Sequence, residues 1–173
     1  MELKGKEFIL RHFKMSDAQR YFESKSTPEA RKGFMSVLKN LKEAKKSVKK
    51  RISQYKQKKP KGEAFVIEVN GEFAGYIEIH SLNEKFHEHK GKLSYCIHPK
   101  FKGKGIMLKA LKLLTAYAFK KYKLKRISGW CRTFNKKSAK LLEKAGYKLE
   151  GILRKNKKKN GKYLDDMIWA KVK

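Results

Sequence analysis

Cysteine is almost absent from this chain. Only Cys96 and Cys131 occur in 173 residues, each inside an apolar or strand-like run. Neither has a CxxC partner, which excludes zinc-finger spacing and a disulfide framework, and both read as buried free thiols. Long hydrophobic runs are missing too. Nothing approaches the ~20 apolar residues of a membrane-spanning helix, and the opening "MELKGKEFILRHF" has no hydrophobic signal core. A soluble, cytoplasmic protein without a membrane partner is the expectation. Acids are scarce: 16 Asp and Glu stand against 46 Lys and Arg, for a formal net charge of +30. Arginine is scarce within that excess, seven of the 46. Arginine's planar fork suits base reading, whereas lysine is a point charge. The excess therefore fits phosphate-backbone or general polyanion contact. A compositional habit that coats every solvated face with lysine explains the same numbers, because the lysines run along the whole chain. Under either reading the field attracts anions and opposes cationic substrates.

What is present suits one domain over 1–173, with 40% apolar residues to fill a core. "KEFILRHF" (6–13) reads as a strand, and "SDAQRYFESKS" as a helix behind a Ser/Asp cap. Pro28 marks another helix start. From Ser36 to Gln57, Leu38, Leu41, Ala44 or Lys45, Val48, Ile52 and Tyr55 recur at steps of three and four along one helical face. Lys39 to Lys61 holds eleven basic residues and one acid, Glu43: a solvated outer face, or a docking surface for RNA. "EAFVIEV" and "EFAGYIEIH" flank Asn70-Gly71, the signature of a tight hairpin turn. "KLSYCI" (92–97) is a strand, Gly105 to Tyr122 a helix, "KRISGWCRT" a strand, and Asn135 to Ala145 a helix stopped by Gly146. "YKLEGILR" and "YLDDMIWAKV" read as strands flanking "KNKKKNGK". The order β-α-α-β-β-β-α-β-α-β-β gives a mixed α/β fold.

"HPKFKGKGIM" (98–107) follows a strand and opens a helix. Gly103 and Gly105 permit a tight turn, and the helix start offers unpaired amides with about half a unit of positive charge. This is an anion seat or a plain turn. It is neither a Walker loop nor a dinucleotide fingerprint, since the spacing of both is absent. His87 and His89 lack a third spaced ligand, so no metal site is expected. Trp130 and Trp169 read as core or groove-lining residues.

The run "LSYCIHPKFKGKGIMLKALKLL" resembles motif A of the GNAT acetyltransferases, in which a strand ending in Val or Ile is followed, after four residues, by Gln/Arg-x-x-Gly-x-Gly/Ala. Lys102 departs from the usual Gln or Arg and Met107 from the small residue; the RimJ/RimL-like branch tolerates Met there. "NKKSAKLLEKAGYKLEG" (135–151) is similar to motif B of the same family, and "LRHFKMSDAQRYFE" to its opening. The resemblance covers nearly the whole chain. It implies a mixed, mostly antiparallel sheet with a splayed central strand pair and flanking helices.

The resemblance further implies an acetyl-CoA-dependent N-acetyltransferase. Lys102, Gly103, Lys104, Gly105, Ile106 and Met107 would bind the CoA pyrophosphate through main-chain amides, and Tyr95, Cys96 and Ile97 would pair with the pantetheine arm. Asn135 would hydrogen-bond the same arm, or cap its helix, or both. The amide of Ile97 would polarise the thioester carbonyl. Leu142 stands where many members have a tyrosine acid; the RimJ/RimL-like branch instead offers the serine that matches Ser138, one helical turn beyond Asn135, as proton donor, or as a small residue that lets the helix approach the cofactor; Tyr147 is a rival or a core residue. For the general base, Glu78 and His80 share one face of a strand, or form an ordinary sheet-face pair. Asp165 and Asp166, the one adjacent acid pair, could hold an amine or pair with lysines. The acceptor expected from charge and branch is a protein N-terminal α-amine of the ribosomal-protein type, with rRNA or ribosome contact through the lysines, in a monomer or homodimer. A small amine or polyamine acetyltransferase and a non-catalytic RNA-binding module are the alternatives.

Overall fold

The computed structural model describes residues 2–173. The first apolar segment forms two short antiparallel strands rather than one. β1 (Glu2–Lys4) and β2 (Ile9–Arg11) are joined by a turn in which the Gly5 N–H donates to the Phe8 carbonyl at 2.9 Å. The strand expected over 6–13 is therefore trimmed at both ends. After a 3-10 turn at Met15–Asp17 comes α1 (Ala18–Ser26), then α2 (Pro28–Gly33) with Thr27 as its cap. Proline fits the first helical position because its missing N–H would find no partner there.

α3 (Leu41–Gln54) begins five residues later than the apolar periodicity predicts. Asn40 sets the start: its Oδ1 accepts the Glu43 N–H at 3.0 Å. β3 (Gly62–Val69) and β4 (Glu72–His80) form the expected hairpin, with Asn70 and Gly71 at φ 48° and 77°. Then follow β5 (Lys90–Ile97), α4 (Ile106–Lys121), β6 (Arg126–Arg132), α5 (Lys136–Lys144), β7 (Lys148–Lys159) and β8 (Lys162–Val172). "KNKKKNGK" is mostly strand, which corrects its reading as a connection. β7 runs on to Lys159, and the chain reverses at Asn160-Gly161.

The sheet order is β1-β2-β3-β4-β5-β6-β8-β7, antiparallel throughout except at β5–β6. One core fills the face under α4 and α5, where Phe65, Ile77, Ile79, Leu111, Leu114 and Leu142 are buried. A second, smaller one lies on the opposite face under α1 and α3, built on Phe13, Tyr21, Val48, Val66 and Tyr76. The expected mixed, mostly antiparallel sheet with flanking helices is present, and its one parallel pair, β5–β6, lies near its centre.

Candidate active site

The centre of the sheet comes apart halfway along. β5 pairs with β6 from Lys90↔Arg126 to Leu93↔Gly129 and no further, while β4 follows β5 to Gly75↔Ile97. Carbonyls and amides alternate in direction along a strand. The His98 N–H donates to the Ala74 carbonyl on β4 at 2.8 Å, so Cys96 and Ser94 also turn their backbone groups toward β4. Tyr95 and Ile97 turn theirs the other way, into the gap where β6 has left. β6 is meanwhile held by β8 along its whole length. The opening is thus a wedge with one backbone wall that lacks a strand partner, and such an edge is completed by an extended ligand carrying amides.

The glycine loop closes the wide end of the wedge. Gly103 and Gly105 have φ of 81° and 71°, and a Cβ at either would meet nothing within 4 Å. The requirement for glycine there is conformational, not steric. Phe101 and Lys102 already spend their amides on the His98 and Pro99 carbonyls, at 2.9 and 3.2 Å. The donors left for a ligand therefore start at Gly103. α4 has no side-chain cap, and its first internal bond is Lys109 N–H to the Gly105 carbonyl at 3.3 Å. The amides of Ile106 and Met107 precede that ladder. The lysines beside them are engaged elsewhere: Lys102 with Glu29 at 3.5 Å, Lys100 with Glu72 at 2.5 Å, and Lys104 over the Phe101 ring at 5.3 Å. The open strand edge and the uncapped helix start together match a long anion with an amide-bearing arm, which is the chemistry of CoA.

Asn135 caps α5: its Oδ1 accepts the Ser138 N–H at 3.1 Å, which leaves its NH2 group as a donor. The Ser138 hydroxyl is 2.7 Å from the Tyr95 phenol. That contact joins α5 to the open half of β5, and the motif spacing did not reveal it. Burial pushes the Tyr95 phenol well up, so it stays protonated. Burial also raises the nearby Cys131 thiol. Tyr147 is a core residue whose hydroxyl meets Thr115 Oγ1 at 2.7 Å.

Glu78 and His80 share a face of β4, but not the face of Ser138. Register pairs Ile77 with Tyr95 and Glu78 with Ser94, so Tyr95 and Ser138 look toward α5 while Glu78 and His80 look toward α1 and α3. Glu78 is ion-paired with Arg51 of α3 at 2.8 Å. His80 Nε2 is 3.1 Å from the Ser94 hydroxyl. Burial holds the His80 imidazole below its ordinary value, so it is neutral near pH 7. Cys96 lies on the same face; its thiol donates to the Ser24 carbonyl at 3.3 Å, and burial pushes it up to about 11.

The remaining candidates are occupied. Asp166 is buried, ion-paired with Arg132 and holding Asn156 Nδ2 at 2.7 Å; Asp165 accepts the Lys155 N–H at 2.7 Å. The acid pair serves an arginine and the β7 bulge rather than lysine side chains. Trp169 is buried and Trp130 is 42% exposed. Among the described residues no group of three or more potential ligands gathers a metal, and no helix is long and apolar enough to cross a membrane. Sequence reading also missed a buried carboxylate, Glu63. It accepts hydrogen bonds from Tyr122 at 2.6 Å, Tyr117 at 2.9 Å and Lys121 at 2.9 Å, with His12 Nε2 at 3.0 Å. Nothing in the local pattern around "KGEAF" signals it, because every partner comes from another element.

Known proteins agree with this geometry. Residues 7–148 match the acetyltransferase (GNAT) domain family. The probable N-acetyltransferase YjcK of Bacillus subtilis is 28% identical over 97% of this chain and 95% of its own length. A GNAT-family acetyltransferase structure from Bacillus anthracis superposes with a TM-score of 0.85 at 25% identity, covering 99% of this chain and 98% of that one. RimL, a ribosomal L7/L12 alpha-N-protein acetyltransferase solved with coenzyme A, shares the fold at a TM-score of 0.86 and 19% identity, with 99% and 98% coverage. Motif, sheet topology and domain match converge: the chain belongs to the GNAT acetyltransferase family, whose members take their acetyl group from acetyl-CoA.

Proposed function

We propose that this chain, acting as one catalytic unit over 1–173, acetylates a protein N-terminal α-amine by direct attack in a ternary complex. The observation that carries the reading is the half-open strand: Tyr95 and Ile97 present backbone groups to a gap that ends at an uncapped helix N-terminus. The amides from Gly103 to Met107 would hold the CoA pyrophosphate. Tyr95 and Ile97 would hold the pantetheine arm with their backbone groups, Cys96 between them turning its own to β4, with the Asn135 NH2 as a further donor. When bound, acetyl-CoA supplies an activated acetyl thioester. The Ile97 amide, which faces the gap, would polarise its carbonyl oxygen.

The two faces of the sheet then divide the proton chemistry. Ser138, fed by the protonated Tyr95 phenol at 2.7 Å, gives a proton to the departing sulfur from the α5 side. The amine enters from the α1 and α3 side, where neutral His80 or Glu78, directly or through water, takes its proton. Positioning supplies much of the rate.

The acceptor class rests on charge and on RimJ/RimL-like features. A field of +30 opposes polyamines and aminoglycosides. A ribosomal protein in the cytoplasm suits it, with the lysine faces of α3 and the β7–β8 hairpin docking on rRNA. A panel of N-terminal peptides, polyamines and small amines, assayed for acetyl transfer from acetyl-CoA, tests this. Turnover of peptides is expected. Turnover confined to polyamines or small amines would overturn the acceptor, and absence of any acetyl-CoA binding alongside tight RNA binding would overturn the enzyme.

A further inference from the structure

Lys25 is the exception among the buried charges. It lies on α1 with 8% of its surface exposed. Arg11 and Arg132, the other buried cations among the described residues, each hold a carboxylate: Arg11 with Asp17 at 2.8 Å and Glu68 at 2.5 Å, Arg132 with Asp166. Half-buried Arg51 has Glu78. Among the described residues Lys25 has neither a hydrogen-bond acceptor nor an ion-pair partner. Its Nζ rests 4.3 Å from the centre of the Phe34 ring and 5.9 Å from that of Tyr21.

Its position is not arbitrary. Ser24, the residue before it, takes the Cys96 thiol, and Glu23, one further back, is 3.3 Å from His98 Nε2. α1 is thus pinned across the open half of β5 where Lys25 sits, on the face from which the amine would enter. The ionisable groups packed there are Lys25 from α1, Arg51 from α3, Glu78 and His80 from β4, and Cys96 from β5, with the phenols of Tyr21 and Tyr76. The thiol and phenols are raised by burial and the imidazole is lowered, so these four are neutral near pH 7. Two cations then face one carboxylate. Ring faces attract an ammonium but replace only part of its lost hydration, and burial with the nearby Arg51 charge lowers the Lys25 pKa. An ammonium largely buried yet still within reach of solvent gains most from an incoming anion, through a short charge-assisted hydrogen bond.

We infer that Lys25 reads a carboxylate on the acceptor, close to the amine that is acetylated. The inference rests on the reading of this face as the amine side, and it narrows the acceptor to α-amines followed closely by an acidic group. Lys25 is then a specificity-determining residue, and the ligand supplies the negative charge that the fold withholds.

The test uses the full chain and peptide pairs identical except for Glu or Gln at one of the first three positions. Wild type is expected to favour a Glu member by about tenfold or more in kcat/KM. Lys25→Met should bring that member down to its Gln counterpart while the KM for acetyl-CoA stays in place, and Lys25→Arg should keep part of the preference. Calorimetry with the N-acetylated Glu and Gln peptides, without acetyl-CoA, should show the same preference and the same loss. If no peptide is turned over, the protein-terminus reading fails on its own. Lys25 is then judged by glycine against glycinamide as acceptors, with glycine favoured in wild type and not in Lys25→Met. Equal use of charged and neutral partners by wild type would overturn the inference. So would a raised KM for acetyl-CoA in Lys25→Met, which would place Lys25 on a donor phosphate, or an acetyl group on Lys25 itself after incubation with acetyl-CoA alone.

Discussion

The two halves of β5 have the same neighbours in sequence order but different surroundings. Residues 90–93 are paired on both sides, with β4 and β6, and behave as ordinary sheet. Residues 94–97 keep β4 and lose β6. The first half spends its backbone hydrogen bonds on the fold, and the second half withholds one row of them. A sheet that leaves a central edge open forgoes ladder bonds worth about 0.5–1.5 kcal/mol each, and recovers them when a ligand completes the edge. The contrast repeats among the buried charges. Glu63 has four donors and serves the fold, whereas Lys25 has only ring faces.

Substitutions can break the open half without touching the paired one. The largest effect is expected from Ser138→Ala, which removes the proposed proton donor: kcat should fall about 10²–10³-fold, with acetyl-CoA affinity nearly unchanged in calorimetry. Tyr95→Phe should fall less and shift the pH profile of kcat, because Ser138 keeps its hydroxyl but loses its proton source. Gly105→Val should weaken acetyl-CoA binding by about tenfold or more, since a β-branched residue at φ 71° is strained by roughly 1–2 kcal/mol and the loop must move to relieve it. The paired side is tested by Glu63→Gln. Burial raises the Glu63 carboxyl, but the hydrogen bonds from Tyr122, His12, Lys121 and Tyr117 outweigh it and leave the net value below 4.5. Its stabilisation is therefore present above the unfolded value of 4.5 and lost as pH falls through the lower folded value. Glu63→Gln should lower stability at pH 7 by about 1–3 kcal/mol, flatten its dependence on pH below 4.5 in urea titrations, and leave acetyl-CoA affinity intact. The smallest effect is expected from Lys104→Ala. Its ammonium sits over Phe101 and the proposed seat uses backbone amides, so acetyl-CoA affinity should change less than about threefold and only at low salt.

Much of this was legible before the fold was seen, and the reasons are local. The Asn70-Gly71 turn, Pro28 and the two glycines act through their own backbone angles, and Asn135 through a cap to an amide three residues on, so the sequence names them directly. β7 was hidden for a physical reason. An edge strand wet on both faces has no alternation to read, and Arg154, Lys155, Lys157, Lys158 and Lys159 look like a loop. The start of α3 was misplaced because apolar steps at Leu38 and Leu41 continue through a segment that Asn40 interrupts. Of the candidate site, the glycine loop and the motif residues Asn135 and Ser138 were legible. The Tyr95–Ser138 contact, the separation of Glu78 and His80 from Ser138 by the sheet, and the unpaired Lys25 were not. Each depends on residues brought together from distant elements, and no spacing along the chain encodes that.

The central claim is that the open half of β5 is where the donor binds, and amide hydrogen exchange of the full chain with and without CoA tests it directly. CoA should protect the amides of Tyr95 and Ile97, and those of Gly103 to Met107, while Gly91 and Leu93, already paired with β6, stay unchanged. Binding of CoA with no added protection at Tyr95 and Ile97 would contradict the account.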